Sequence, residues 1–272
     1  MKQEKNKRKL MIWLLLVVAV LLIAMFGDVL AGHDPYKTVL SDALISPCRE
    51  YPCGTDNLGR CVLCRILAGA KTSIFSALAV VAIVFLVGGS IGVLAGFLGG
   101  ILDTVLMKIT VIFQAFPSFI LAICVAAVLG TGLKNGILSL ALVYWTTYAR
   151  LGRSLVLSMK DETYIKAAKM CGASKGAIML RYVVPNVIAP VIVTAALDVG
   201  NVILSMAGLS FLGLGAARPT AEWGAMMSEA RNFLQTGPWG IVCPGIVLFI
   251  VVFLFNRLGD VISDMISDGR EE

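Results

Sequence analysis

An all-α, polytopic membrane protein of about six transmembrane helices is the fold class this sequence predicts. Three observations carry it. The chain of 272 residues is 58% hydrophobic and only 15% charged, with a mean hydropathy of +0.88, whereas soluble domains carry about 25% charged residues. The charges gather in short stretches and leave uncharged runs that match the roughly 20 residues a helix needs to cross a bilayer. The runs do not alternate apolar with polar, so they suit helices and not the strands of a barrel.

Taken in order, residues 1–9 hold Lys2, Lys5, Lys7, Arg8 and Lys9, a basic N-terminus that the positive-inside rule places in the cytoplasm. Residues 10–31 form the first transmembrane helix. A cleaved signal peptide also begins with a basic stretch, but this apolar run is too long and no small-x-small site follows Ala24, so it is read as a retained helix. Residues 32–71 form an extracellular loop and residues 72–258 the membrane core. The later uncharged runs are 74–102, 109–133, 135–149, 182–217 broken only by Asp198, and 232–256. The third of these is short, and Lys134 and Arg150 snorkel from its ends. Gly88, Gly89, Gly92, Gly96, Gly99 and Gly100 crowd one run at spacings that let helices approach closely. Pro117 predicts a kink in the next. Residues 150–186 make a basic cytoplasmic segment, rich in Arg and Lys against Asp161 and Glu162, and residues 259–272 a cytoplasmic tail. The net charge of +6 is therefore a topology signal and not a mark of nucleic-acid binding.

Within the basic segment, Tyr164, Ala167, Ala168 and Cys171 recur at helical spacing, and Gly172 ends the helix. A smooth alanine face suits contact with another protein; the Lys content equally suits lipid headgroups. The chain contains no phosphate-binding Gly-x-x-x-x-Gly-Lys-Ser/Thr loop, no nucleophile elbow and no His-Glu-x-x-His zinc motif, and its single histidine is His33, expected at the interface.

The stretch Tyr164-Ile-Lys-Ala-Ala-Lys-Met-Cys-Gly172, followed by Ile178-Met-Leu-Arg-Tyr-Val-Val-Pro-Asn186, resembles the cytoplasmic signature of permease subunits of binding-protein-dependent ABC importers. Gly54-Thr-Asp-Asn-Leu-Gly-Arg60, Ala207-Gly-Leu-Ser-Phe-Leu-Gly-Leu-Gly215, Glu222-Trp-Gly224 and Asn256-Arg-Leu-Gly-Asp260 extend the resemblance over most of the chain, toward the branch that imports peptides and nickel. The resemblance implies the type I importer fold and a multi-pass place in the plasma membrane with both termini cytoplasmic. Its implied partners are a second homologous permease, two ATPase subunits, an extracellular substrate-binding protein and lipid. ATP and Mg belong to the ATPases, and no cofactor to this chain. The residues it assigns to ATPase coupling are Tyr164, Lys166, Ala167, Ala168, Gly172 and Pro185. Lys166 stands where the family favours Glu, so an ion pair made by that Glu does not carry over; Asp161 and Glu162 are the nearby acids.

Asp198 is the acidic residue deep within an apolar run, a costly position that marks either a cavity-lining carboxylate or a structural one bonded to a neighbour. Asn201, almost one turn on, shares the choice. The cavity reading favours a cation or the amine of a peptide. Leu197-Asp-Val-Gly200 resembles the nickel-type subunit more than the dipeptide type, so nickel or a nickel chelate is the expected cargo, with a dipeptide or oligopeptide as alternative. A self-contained secondary transporter is the alternative from another class; it calls for internal repeats and interrupted helices at matching positions, and neither is evident. Cys48, Cys53, Cys61 and Cys64 in the loop suit disulfides or plain thiols more than a soft-metal site.

Overall fold

The computed structural model describes residues 2–268; those residues are mostly helical and hold no strand, apart from one isolated bridge between Thr55 and Cys61. The helices are α1 (Lys2–Leu30), α2 (Val62–Leu98), α3 (Gly100–Gln114), α4 (Ser118–Leu129), α5 (Leu133–Met159), α6 (Thr163–Met170), α7 (Lys175–Ile178), α8 (Val184–Phe211), α9 (Trp223–Ala230) and α10 (Trp239–Asp268). Segments Lys7–Leu30, Val62–Leu98, Lys175–Phe211 and Trp239–Ile266 are each long and apolar enough to cross a bilayer, and α3 with α4 forms an apolar pair bent by 91°, either a broken span or a re-entrant loop. The bend falls at Pro117, whose ring forbids a continuous helix. Helix α5 has the length, 27 residues, but its polar middle, Tyr144 to Tyr148, and its Arg150 and Arg153 set it apart from the strictly apolar spans. Their outward side chains invert the soluble pattern: Leu86, Ile101 and Phe249 are all exposed.

Two element ends differ from the sequence reading. Helix α2 starts at Val62, inside the stretch 32–71 read as loop, and the charge it carries at Arg65 is answered by Asp56 and by Glu229 of α9. The stretch 259–272 read as a tail is helical through Asp268 as the continuation of α10, and residues 269–272 lie outside the described residues.

The chain divides into two contact units. In the unit of residues 80–122 and 140–195, α2 packs on α5 through a glycine seam. A Cβ on Gly88 would strike the Trp145 carbonyl, one on Gly92 the Ala149 backbone, and one on Gly96 the Val156 side chain. Only hydrogen side chains on this seam admit the α5 backbone, which is the close-approach role expected of them. Arg153 grips Asp103 of α3 with both prongs, at 2.5 and 2.7 Å. In the unit of residues 1–79, 123–139 and 196–272, α1 lies along α10, with Trp13 edge-on to Phe253, and α8 seats on α10 where Gly200 meets Asn256 and Gly259 meets Leu197.

Candidate coupling and translocation site

Helix α6 buries Ile165 and Ala168, at 2% and 9% exposure, on one face. Lys166, Ala167 and Met170 stand outward on the other, Met170 at 89% and Tyr164 at 40%. The alanine pair is thus split. Ala167 is presented to the surroundings, whereas Ala168 packs inward and is not part of the free face on which it was expected, because Ile165 fixes the inward side three residues earlier. Gly172 has φ +80, and the stop is a complete Schellman motif. The Ala173 N–H bonds the Ala168 carbonyl at 3.1 Å and the Gly172 N–H the Lys169 carbonyl at 3.0 Å.

The chain then restarts at once. Ser174 caps α7, its Oγ accepting from the Ala177 N–H at 3.2 Å, and Ile178 turns inward. Between α7 and α8 the residues Met179–Val183 form one wide π turn, in which the Val184 N–H reaches back to Met179. Pro185 supplies the cause, since it has no N–H for the carbonyl of Arg181 and its ring crowds that turn. Asn186 compensates by donating its side-chain N–H to the Tyr182 carbonyl at 2.7 Å. Tyr164 and Tyr182 have ring centroids 6.4 Å apart. The segment from Thr163 to Asn186 is therefore a hydrogen-bonded hook, with Lys166, Ala167 and Met170 on its outside.

Asp198 sits half-buried in α8, with Asn201 exposed and Ser205 half-buried at the following turns of the same face. Ser205 donates to the Asn201 carbonyl at 2.8 Å. The apolar side of this helix, Val199, Val202, Ile203 and Met206, is buried, so the polar stripe turns away from the packed face. Ser205 was not singled out from sequence; its place seven residues after Asp198 is the signal that would have found it.

The Gly54 to Arg60 motif builds a clasp and not a ligand site. The Asp56 carboxylate accepts from the N–H groups of Leu58 and Arg60 at 2.9 and 3.0 Å and from Arg60 Nε at 2.6 Å. Arg60 Nη2 reaches Glu229 of α9 at 2.7 Å, and Arg218 Nε joins Glu229 at 3.2 Å. Glu222 is fully buried as the cap of α9, accepting from the Ala225 N–H at 2.8 Å and from Ser73 Oγ at 3.1 Å. Burial holds its carboxyl above the usual carboxylate range, against the opposing pull of those hydrogen bonds. No role for Glu222 or Glu229 is visible in sequence, because their partners lie far along the chain.

The loop cysteines do not converge. Cys61 caps α2, its sulfur accepting from the Cys64 N–H at 3.3 Å, and burial pushes its thiol up to about 12. Cys48 is exposed, its sulfur accepting from the Tyr51 N–H at 3.3 Å. All seven cysteines are free thiols, and among the described residues no three His, Cys, Asp or Glu side chains form a group able to hold a metal ion. The four-thiolate site considered for Cys48, Cys53, Cys61 and Cys64 is not assembled. His33 instead packs against Tyr51, with centroids 5.3 Å apart.

The family model described as binding-protein-dependent transport system inner membrane component matches residues 88–269. A dipeptide transport system permease protein of Alkalihalophilus pseudofirmus is 38% identical, covering 98% of this chain and 88% of the relative. A nickel transport system permease protein of Escherichia coli is 39% identical, covering 92% and 91%. A glutathione transport system permease protein of Pectobacterium atrosepticum is 34% identical over 93% and 84%. These matches set aside a self-contained secondary transporter. The chain belongs to the family of binding-protein-dependent transport system inner membrane components, as a multi-pass permease subunit of the peptide and nickel branch of ABC importers.

Proposed function

We propose that this chain pairs with a second, homologous permease in the plasma membrane and conducts nickel, or a nickel chelate, past Asp198. Both termini and the hook of α6 lie in the cytoplasm, where two ATPase subunits seat against Lys166, Ala167 and Met170; ATP and Mg stay on those subunits. The segment 31–61 faces outward and receives cargo from a binding protein. Closure of the ATPases pulls on the hook, and the π turn at Met179–Val183 passes the pull into α8, the helix that carries Asp198.

The observation that carries this reading is the stripe of Asp198, Asn201 and Ser205, turned away from the packed face of a span. In a low-dielectric setting a carboxylate there lowers the energy of a passing cation far more than it would in water. A dipeptide is the second reading, favoured by the relative that covers 98% of this chain; its ammonium group would use the same carboxylate. Asp198→Asn keeps the shape and removes the charge. In proteoliposomes holding the full complex, nickel uptake falls at least tenfold in this variant while ATP hydrolysis persists. Uptake at the wild-type rate overturns the path role of Asp198, and uptake of labelled dipeptide but not nickel by the wild type selects the second reading.

A further inference from the structure

We infer that Cys53 and Cys243 are a disulfide-forming pair that fastens the segment 31–61 to the first turns of α10. Cys53 and Cys243 are neighbours in the fold, near enough for the Cys53 side chain to act on the Cys243 thiol, although 190 positions separate them along the chain. Independent contacts on either side hold them there. The Trp239 Nε1–H, at the start of α10, donates to the Thr55 carbonyl at 2.8 Å. Gly54, at φ +69, lies so close that a Cβ would strike the Trp239 indole. The Val62 N–H then bonds the Gly54 carbonyl at 3.1 Å, so Cys53 is anchored to α2 as well as to α10. Cys53 and Cys243 are both half-buried, whereas Cys61 and Cys64 are enclosed at 4% and 3% exposure.

The chemistry is thiol–disulfide exchange with a small-molecule disulfide such as oxidised glutathione. The Cys53 thiolate attacks one sulfur of that disulfide, forms a mixed disulfide and releases one glutathione thiolate. Cys243 gives up its proton, attacks the Cys53 sulfur and expels the second glutathione. Two protein thiols are oxidised to one disulfide, and one glutathione disulfide is reduced to two thiols. Outside the cell membrane, where the proposed orientation puts this segment, disulfides persist.

The test treats the purified complex with oxidised glutathione, blocks remaining thiols with N-ethylmaleimide under denaturing conditions and maps peptides without reductant. Most molecules are expected to yield a Cys53–Cys243 linked pair that dithiothreitol removes and that Cys53→Ser abolishes. Recovery of both cysteines as alkylated or singly glutathionylated thiols overturns the pair, as does a link from Cys53 to Cys48. The decisive sample is the wild type, so the outcome does not depend on any variant folding.

Discussion

Ala167 and Ala168 are adjacent, yet they carry opposite duties, and substitution separates them. A tryptophan at Ala168 enters a closed packing site beside Ile165, where overpacking typically costs about 1 to 3 kcal/mol. Ala168→Trp is therefore expected to lower the melting temperature of the purified chain, whereas Ala167→Trp leaves it nearly unchanged; differential scanning fluorimetry measures both. Glu222 gives a second prediction. The folded protein holds the Glu222 proton more tightly than the unfolded chain does, so this group's contribution is complete below the ordinary carboxyl range and is lost as pH rises through the folded-state value. Thermal stability should decline as pH rises above the ordinary carboxyl range and should do so less steeply in Glu222→Gln. At this scale the sequence was legible where backbone chemistry decides, as at Gly172 and Pro185. It read Ala168 onto the free face and gave nothing on the burial of Glu222, because the burial of both is set by residues that folding brings to them.

Helices were legible through their uncharged runs, and their ends were not. Pro117 marks the 91° break between α3 and α4 because a missing N–H is a local fact. The start of α2 at Val62 was hidden because Arg65 becomes affordable only beside Asp56 and Glu229, and Glu229 is placed by folding. The glycine seam was readable as packing but not its partner. Its partner is now testable: Gly92→Leu drives a side chain into the Ala149 backbone and is expected to cost about 3 kcal/mol or more. Gly89→Ala, where nothing lies within 4 Å, should be nearly neutral. Urea or thermal melts of both variants in detergent check the contrast.

For the whole molecule, family and fold class follow from the distribution of charge and a handful of motifs, while cargo does not, since dipeptide, nickel and glutathione permeases share this frame. Orientation can be read with the chain's own exposed thiols, Cys48 and Cys171. In intact cells, a variant keeping only Cys48 is expected to react with a membrane-impermeant maleimide, and one keeping only Cys171 to react only after the membrane is opened. The claim on which everything else depends is that the outward face of α6 engages an ATPase. Its most direct measurement is recovery of an ATPase pair with the tagged chain in mild detergent, compared among wild type, Ala167→Trp and Met170→Asp. The account predicts that the wild type brings the ATPase pair down and that both variants lose it at unchanged melting temperature. Equal recovery with all three chains would contradict it.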